Sequence, residues 1–306
     1  MHDDDFHSPE VARLRADLAL ALRAAAHHGL AEGICNHFSV ELPDGSDRFL
    51  LNPRGLLWSE IRADDIVLIA NDGAKLAGRH EVESTAMFIH AAVHRLGKAC
   101  VLHTHMPYAT ALTLTADRGL DTTLSQNAMR FHGRVAIDAH YNGLALDRAE
   151  GERIALTMGA ADVAFLGYHG VIVCGDRLAH AYDDLYYLER ACLHQVQAQS
   201  TGRPPAPVAE ALARRVGEQT LGERLQSELF FEALRRTLCR RPSVLRHDAA
   251  PGRDSGPSPP KKEAHMSFTK LVVVACALAM FAVAAEARPR HHHHHHHHHK
   301  HHKAHR

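Results

Sequence analysis

The 306-residue chain has no Cys-x-x-Cys pair, no surplus of positive charge in its body and no apolar run long enough to span a bilayer. Its six cysteines, Cys35, Cys100, Cys174, Cys192, Cys239 and Cys276, are scattered, and several sit in apolar stretches such as Ala99-Cys100-Val101-Leu102. They read as buried free thiols in a reducing cytoplasm and exclude a disulfide framework. Residues 266–306 hold six of the 35 Lys and Arg but one of the 35 Asp and Glu, leaving 29 basic against 34 acidic residues in the body. A mildly acidic body lacks the basic stripe of a nucleic-acid binder, so no nucleic-acid partner is expected. Acidic residues rather than an apolar run follow Met1, which excludes an N-terminal targeting signal and implies a cytoplasmic body.

What is present, 45% apolar and 23% charged side chains, is the composition of a globular protein able to bury a sizeable core. Three segments are expected: a domain over 1–245, a linker over 246–265 and a separate end over 266–306. The linker follows from Pro251–Lys262, rich in Pro, Gly, Ser and charge. The end resembles a small secreted protein: an apolar run Leu271–Ala285, an Ala-x-Ala pattern at Ala285-Glu286-Ala287, then nine consecutive histidines, His291–His299. Fifteen apolar residues fall short of the roughly 20 a spanning helix needs. A fused reading frame is favoured over a tag or a natural tail, and membrane association is expected only if 271–285 acts as an anchor. Polyhistidine binds divalent metals without folded geometry, so the tract is set apart from the fold.

In the body, Ser8-Pro9-Glu10 starts a helix in which Val11, Leu14, Leu18, Leu22 and Ala25 recur until Gly29. β-type runs follow at His37–Leu42, Phe49–Asn52 and Asp65–Ala70, separated by Pro43-Asp44-Gly45 and Asn71-Asp72-Gly73 turns. Periodicity then predicts helix over Glu83–Leu96, Pro107–Ala116 and Asp147–Gly159, and strand over Ala99–Thr104, Arg134–Ile137, Val163–Leu166 and Gly170–Cys174. A long helix, Leu178–Gln199, is expected to close the core. With no internal repeat and no regular βα alternation, the predicted class is α/β, a three-layer αβα sandwich around a largely antiparallel or mixed sheet.

Chemistry is concentrated in two places. In Val101-Leu102-His103-Thr104-His105 the histidines are two apart at a strand end, so both imidazoles share a face and can meet one ion. In Gly167-Tyr168-His169-Gly170, glycines on either side let His169 approach closely between two apolar strands. Three histidine ligands leave a position open for water or substrate, the pattern of a catalytic divalent metal, with Zn²⁺ the first choice. Ordinary hydrogen-bonded histidines are the plainer alternative. His37 and His90 have nothing local that makes them ligands, and His27, His28, His80, His94, His132, His180 and His194 read as surface or satisfied positions.

The ordered set Gly33-Ile34-Cys35-Asn36-His37-Phe38-Ser39, Asn52-Pro53-Arg54-Gly55, Ser84-Thr85, His103-Thr104-His105 and Tyr168-His169-Gly170-Val171 resembles the class II aldolase/adducin family over roughly residues 8–215. The resemblance implies Zn²⁺ on His103, His105 and His169, working as a Lewis acid that stabilises an enediolate during aldol cleavage. It also implies substrate contacts from Asn36, Gly55, Ser84 and Thr85, the last two at a helix start suited to phosphate, and a homo-oligomer, a tetramer in the family's enzymes. One departure stands out: the family's aldolases follow the serine pair with a glutamate, and this chain has Ala86. Glu83 and Glu81 lie just upstream; Glu83 is the candidate base, against a plain reading as a first-turn glutamate favoured by the helix dipole. The Cys35–Ser39 loop, Asp183–Glu189 in the last helix and a His90–His103 segment two residues shorter than usual point to the adducin-like branch, related to fuculose-phosphate aldolase.

Two functions from different classes follow. One is a metal-dependent aldolase-like lyase on a small hydroxy-carbonyl compound, a sugar phosphate among the candidates. The other, which Ala86 favours, is an adducin-like interaction module without catalysis. A hydrolase built on the three histidines is a third, with the ligand set alone behind it. The reading leans toward an enzyme.

Overall fold

The computed structural model describes residues 6–239. The expected domain end at 245, the linker 246–265, the histidine-rich 266–306 and Cys276 lie outside the described residues.

Eight strands form one sheet: β1 (His37–Glu41), β2 (Arg48–Leu51), β3 (Val67–Ala70), β4 (Lys75–Ala77), β5 (Cys100–Thr104), β6 (Val135–Asp138), β7 (Val163–Leu166) and β8 (Gly170–Gly175). Their order is β4-β3-β2-β1-β5-β8-β7-β6. Every pairing is antiparallel except β6 with β7, so the sheet is mixed. Among the described residues eight helices accompany it: α1 (Pro9–His27), α2 (Ser84–His94), α3 (Pro107–Thr113), α4 (Gln126–Met129), α5 (Arg148–Met158), α6 (Leu178–Ser200), α7 (Glu210–Gly222) and α8 (Leu225–Leu238).

Alternation along the strands sorts side chains into two layers. Phe38, Val40, Leu50, Leu68, Leu102, Val173 and Phe165 share one cluster with Leu18 and Leu22 of α1, Leu185 and Leu188 of α6, and Phe231 and Leu234 of α8. The residues between them in the strands, Val101, Ala164, Leu166, Ile172 and Cys174, pack with Ile89 and Val93 of α2 and Ile154 and Met158 of α5. The protein is therefore the three-layer sandwich that the sequence predicts. Helices α2 and α5 cross closely because position 151 is glycine: a Cβ there would lie 2.4 Å from the Phe88 carbonyl oxygen. Ser8 caps α1 by accepting the Val11 amide, and Asp147 caps α5 by accepting that of Glu150.

Several details depart from the sequence reading. Strand β3 starts at Val67, because Ala63–Asp65 form a 3₁₀ turn closed by Asp65, which accepts the Arg62 amide. Strand β4 adds an edge that three residues with an exposed Lys75 could not announce. Helix α6 does not close the core alone: α8 lies against it and contributes Phe231 and Leu234. Among the described residues no helix is long and apolar enough to cross a membrane.

Candidate metal centre

Strand β5 lies inside the sheet, hydrogen-bonded to β1 on one side and β8 on the other, with His103 opposite His37 and Ile172. Position 103 faces the α2 and α5 side, where Val101 is core and His103 stands at the rim of that core. The His103 ring is oriented from behind. Its Nδ1–H donates to the Val171 carbonyl oxygen at 2.9 Å, which leaves the Nε2 lone pair facing away from the bond. Burial, then the nearby His169 and His37 rings, holds this imidazole well below its usual pKa, so it is neutral.

His105 follows just past the strand end, and its Nδ1–H donates to Glu32 Oε2 at 2.5 Å. Its Nε2 is buried and has no hydrogen-bond partner among the described residues. His169 sits in the tight turn between β7 and β8, after Tyr168 in the left-handed region at φ 61°. Gly170 is required there for space: a Cβ would lie 2.6 Å from the Thr104 carbonyl oxygen and 2.7 Å from His105 Cδ2. Burial first, then His105, pushes His169 down to about 4. The three rings lie 4.8–5.1 Å apart, centre to centre, and one nitrogen from each falls within 4.8 Å of the others. Three converging imidazoles, those of His103 and His105 with their outer nitrogens already committed and His105 with a buried, unpartnered inner nitrogen among the described residues, fit a borderline divalent cation.

A cavity of about 140 Å³ opens beside them, lined by Asn36, His37, Glu83, Thr85, Ile89 and Ala145 among others. Asn36 is buried, adopts φ 73°, accepts the His105 amide at Oδ1 and has a buried Nδ2 without a partner among the described residues. Left-handed backbone suits asparagine better than any residue but glycine. Glu83 is the N-cap residue of α2 and makes no capping bond with its side chain. Three residues on a helix return to within a sixth of a turn, so Glu83 and Ala86 share a side, and both line a smaller adjoining cleft. Glu81 instead pairs with Lys75. Ser84 is exposed and Gly55 sits at φ 87° in an exposed turn; neither lines the cavity.

Residues 16–196 match the sequence profile of the Class II Aldolase and Adducin N-terminal domain. The chain belongs to the class II aldolase and adducin family. A class 2 aldolase-group protein of Pseudomonas aeruginosa is 36% identical over 191 residues, 61% of this chain and 72% of that one. The decarboxylase NovR of Streptomyces niveus is 30% identical, with 76% of this chain and 92% of that one covered. An aldolase II superfamily structure from Pseudomonas syringae superposes with a TM-score of 0.71 at 34% identity, covering 77% of this chain and 95% of that one. L-fuculose 1-phosphate aldolase from Glaciozyma antarctica, at 22% identity, TM-score 0.65 and coverage of 74% and 89%, shares the fold.

Against other class II aldolase and adducin motifs, three features of this site escape a reading of the sequence. Glu32 anchors His105 from a loop 73 positions away. Arg54 lines the adjoining cleft with Asn36 and Glu83, exposed and with no ion pair among the described residues. His37, His90 and His94 form a buried polar array with Ser39. The spacing of the last set, His37-x-Ser39 on a strand and four residues from His90 to His94 on a helix, was the available signal for one shared face.

Proposed function

We propose that this protein is a metal-dependent carbon–carbon lyase acting on a small, anionic hydroxy-carbonyl compound. The observation that carries the proposal is the convergence of His103, His105 and His169 with Nε2 of His105 buried and unpartnered. A divalent cation, Zn²⁺ first, would be held by these three rings and would supply polarisation of a carbonyl oxygen, easing the departure of a carbon leaving group from the neighbouring carbon. The names of the relatives support this class: aldolase and decarboxylase both describe carbon–carbon cleavage.

The chain's own residues then have distinct tasks. Asn36 Nδ2 donates to a ligand oxygen, since nothing among the described residues accepts from it. Glu83 is the one carboxylate lining the cavity among the described residues and moves the proton, one helical turn before Ala86. Arg54 receives the anionic end, phosphate or carboxylate, together with Thr85 near the α2 start. Ile89 and Ala145 wall the cavity on its apolar side and limit water. By family likeness the working form is a homo-oligomer.

Ala86 favours a second reading, the non-catalytic adducin-like module. It is buried against Phe49, Leu51, Val67 and Ile69, an apolar position with no chemistry of its own. The test is the metal content and carbon–carbon cleavage of a chain ending near residue 250, which removes the polyhistidine, with and without His103→Ala. One equivalent of metal lost in the variant, with turnover on some member of a panel of hydroxy acids and sugar phosphates, is expected. Metal that survives His103→Ala overturns the centre, and metal without turnover, or with turnover indifferent to Glu83→Gln, favours the module or another base.

A further inference from the structure

Behind the cavity, between the sheet and α2, a chain of hydrogen bonds has its polarity set by where it ends. Lys98 contributes a backbone carbonyl oxygen, which only accepts, so His94 donates Nδ1–H to it at 2.6 Å. Nε2 of His94 is then unprotonated and accepts the Ser39 hydroxyl proton at 2.7 Å. Having donated its one proton, Ser39 Oγ accepts Nδ1–H of His90. Nε2 of His90 accepts Nδ1–H of His37 at 2.8 Å. This leaves His37 with a bare lone pair on Nε2, which has no hydrogen-bond partner among the described residues. His37 lines the cavity with its ring 4.9 Å from that of His103.

The sequence of donors and acceptors holds for neutral rings, and all three are buried, at 5%, 0% and 2% exposure, with one another, Ser39 and a backbone carbonyl as their hydrogen-bond partners and no carboxylate among these. The pKa of His94 is brought down to about 4 by burial. The backbone end is firm as well: the Lys98 side chain is tied to the Ala160 carbonyl oxygen and to Asp162. His37 lies outside the group whose donor atoms fall within 4.8 Å of one another, so it lines the cavity without belonging to the set that could share an ion.

We infer that His37 determines specificity: locked as the Nδ1–H tautomer by Ser39, His90 and His94, it presents Nε2 as a permanent acceptor beside His103 and selects ligands that place a hydroxyl there. An ether or carbonyl oxygen at the same point would set two acceptors face to face and leave both unsatisfied. The chemical class selected is α-hydroxy carbonyl and α-hydroxy carboxylate compounds with a free hydroxyl. The ligand's position rests on the proposed metal centre; the tautomer does not.

Two measurements on the full chain separate these parts. In metal-free, ¹⁵N-histidine-labelled protein, long-range ¹⁵N–¹H correlation spectra, assigned by comparison with His37→Phe, should show the His37 proton on Nδ1. Ser39→Ala, which cuts the chain while keeping His37, should let Nε2–H appear. A proton on Nε2 in the unmodified protein overturns the inference, as does a tautomer that ignores Ser39→Ala. In Zn²⁺-loaded protein, the affinity ratio of glycolate to methoxyacetate should fall about tenfold in His37→Phe, with folding checked by thermal melting and Ser39→Ala moving the ratio in the same direction. An unchanged ratio in a folded variant also overturns the inference. Zinc lost together with an intact Nδ1–H tautomer would sink the metal centre and leave the histidine lock standing.

Discussion

The two faces of the sheet bury polar groups by opposite means. Under α6, Asp184 is almost wholly buried and is met by charge: Arg224 through both terminal nitrogens at 3.0 and 2.8 Å, and Arg134 at 2.7 Å. Its neighbour Asp183 pairs with Arg130 and accepts from Ser227 at 2.9 Å. Burial alone would raise the Asp184 carboxyl, but Arg224 and Arg134 outweigh it and hold it below the usual carboxylate range. Under α2, His37, His90 and His94 are buried rings met by direction, each nitrogen a committed donor or acceptor except Nε2 of His37 at the cavity end. A charged cluster tolerates rearrangement as long as its signs balance. A directional chain transmits the state of one end to the other, and it is the directional chain that ends at the candidate site.

The largest expected effect breaks the charged side. Asp184→Ala removes the buried carboxylate that Arg224 and Arg134 share, leaving Arg134 with Asp162 alone, and should cost about 3–5 kcal/mol of unfolding free energy in urea; a loss under 1 kcal/mol would mean the arginines find other partners. The second contrast is pH. The unfolded His94 protonates near 6.5 and the folded one only near 4, so the unfolded state binds more protons in that window. Stability contributed by burying the neutral ring is therefore complete above pH 6.5 and is lost as pH falls toward 4, up to about 3 kcal/mol. The Asp184 cluster, its carboxyl held low, loses nothing until more acidic pH. Hydrogen exchange at pH 5 against pH 7 should show α2 loosening before α6, and the reverse order would contradict the division.

Gly170→Ala comes next. The added methyl meets the Thr104 carbonyl oxygen and the His105 ring, and affinity for zinc should drop by at least tenfold with a modest fall in melting temperature. Competition with a chromophoric chelator reads this, on a chain lacking the polyhistidine. Glu32→Gln is the smallest: roughly tenfold weaker zinc binding from a less basic His105, with melting unchanged because Glu32 is exposed. Unaltered affinity would mean that the Glu32 carboxylate does not tune the ring.

The sequence carried much of this and lost the rest for identifiable reasons. His103 and His105 are legible because a strand repeats every two residues, and His169 because glycines flank it. The alternation that sorts Leu102 from Val101 was equally local, and with it the three layers. What joins His37 to His103 is the pairing of β1 with β5, across 66 positions, which no local pattern encodes. The same holds for Glu32 behind His105. Helices α7 and α8, inside the expected domain over 1–245, were not assigned because what ties them to the core is distant in sequence: Phe231 and Leu234 return to pack on α6. Glu83, the candidate base in the sequence, stands three residues before Ala86, and a helix brings the third residue back almost to its starting side.

The placement of β5 has a consequence in time. With a neighbour on each side in the interior of the sheet, the segment carrying His103 and His105 opens only when the sheet does, an event on the slow scale of global unfolding. His169 rides on a short turn between β7 and β8, held by its own amide to Leu166 and by the Tyr168 amide to Thr113. Two rings are thus clocked to the whole protein and the third to a few residues. The lifetime of anything the three hold together is set by the turn, and mutations there should change residence times well before they change how tightly the sheet is built.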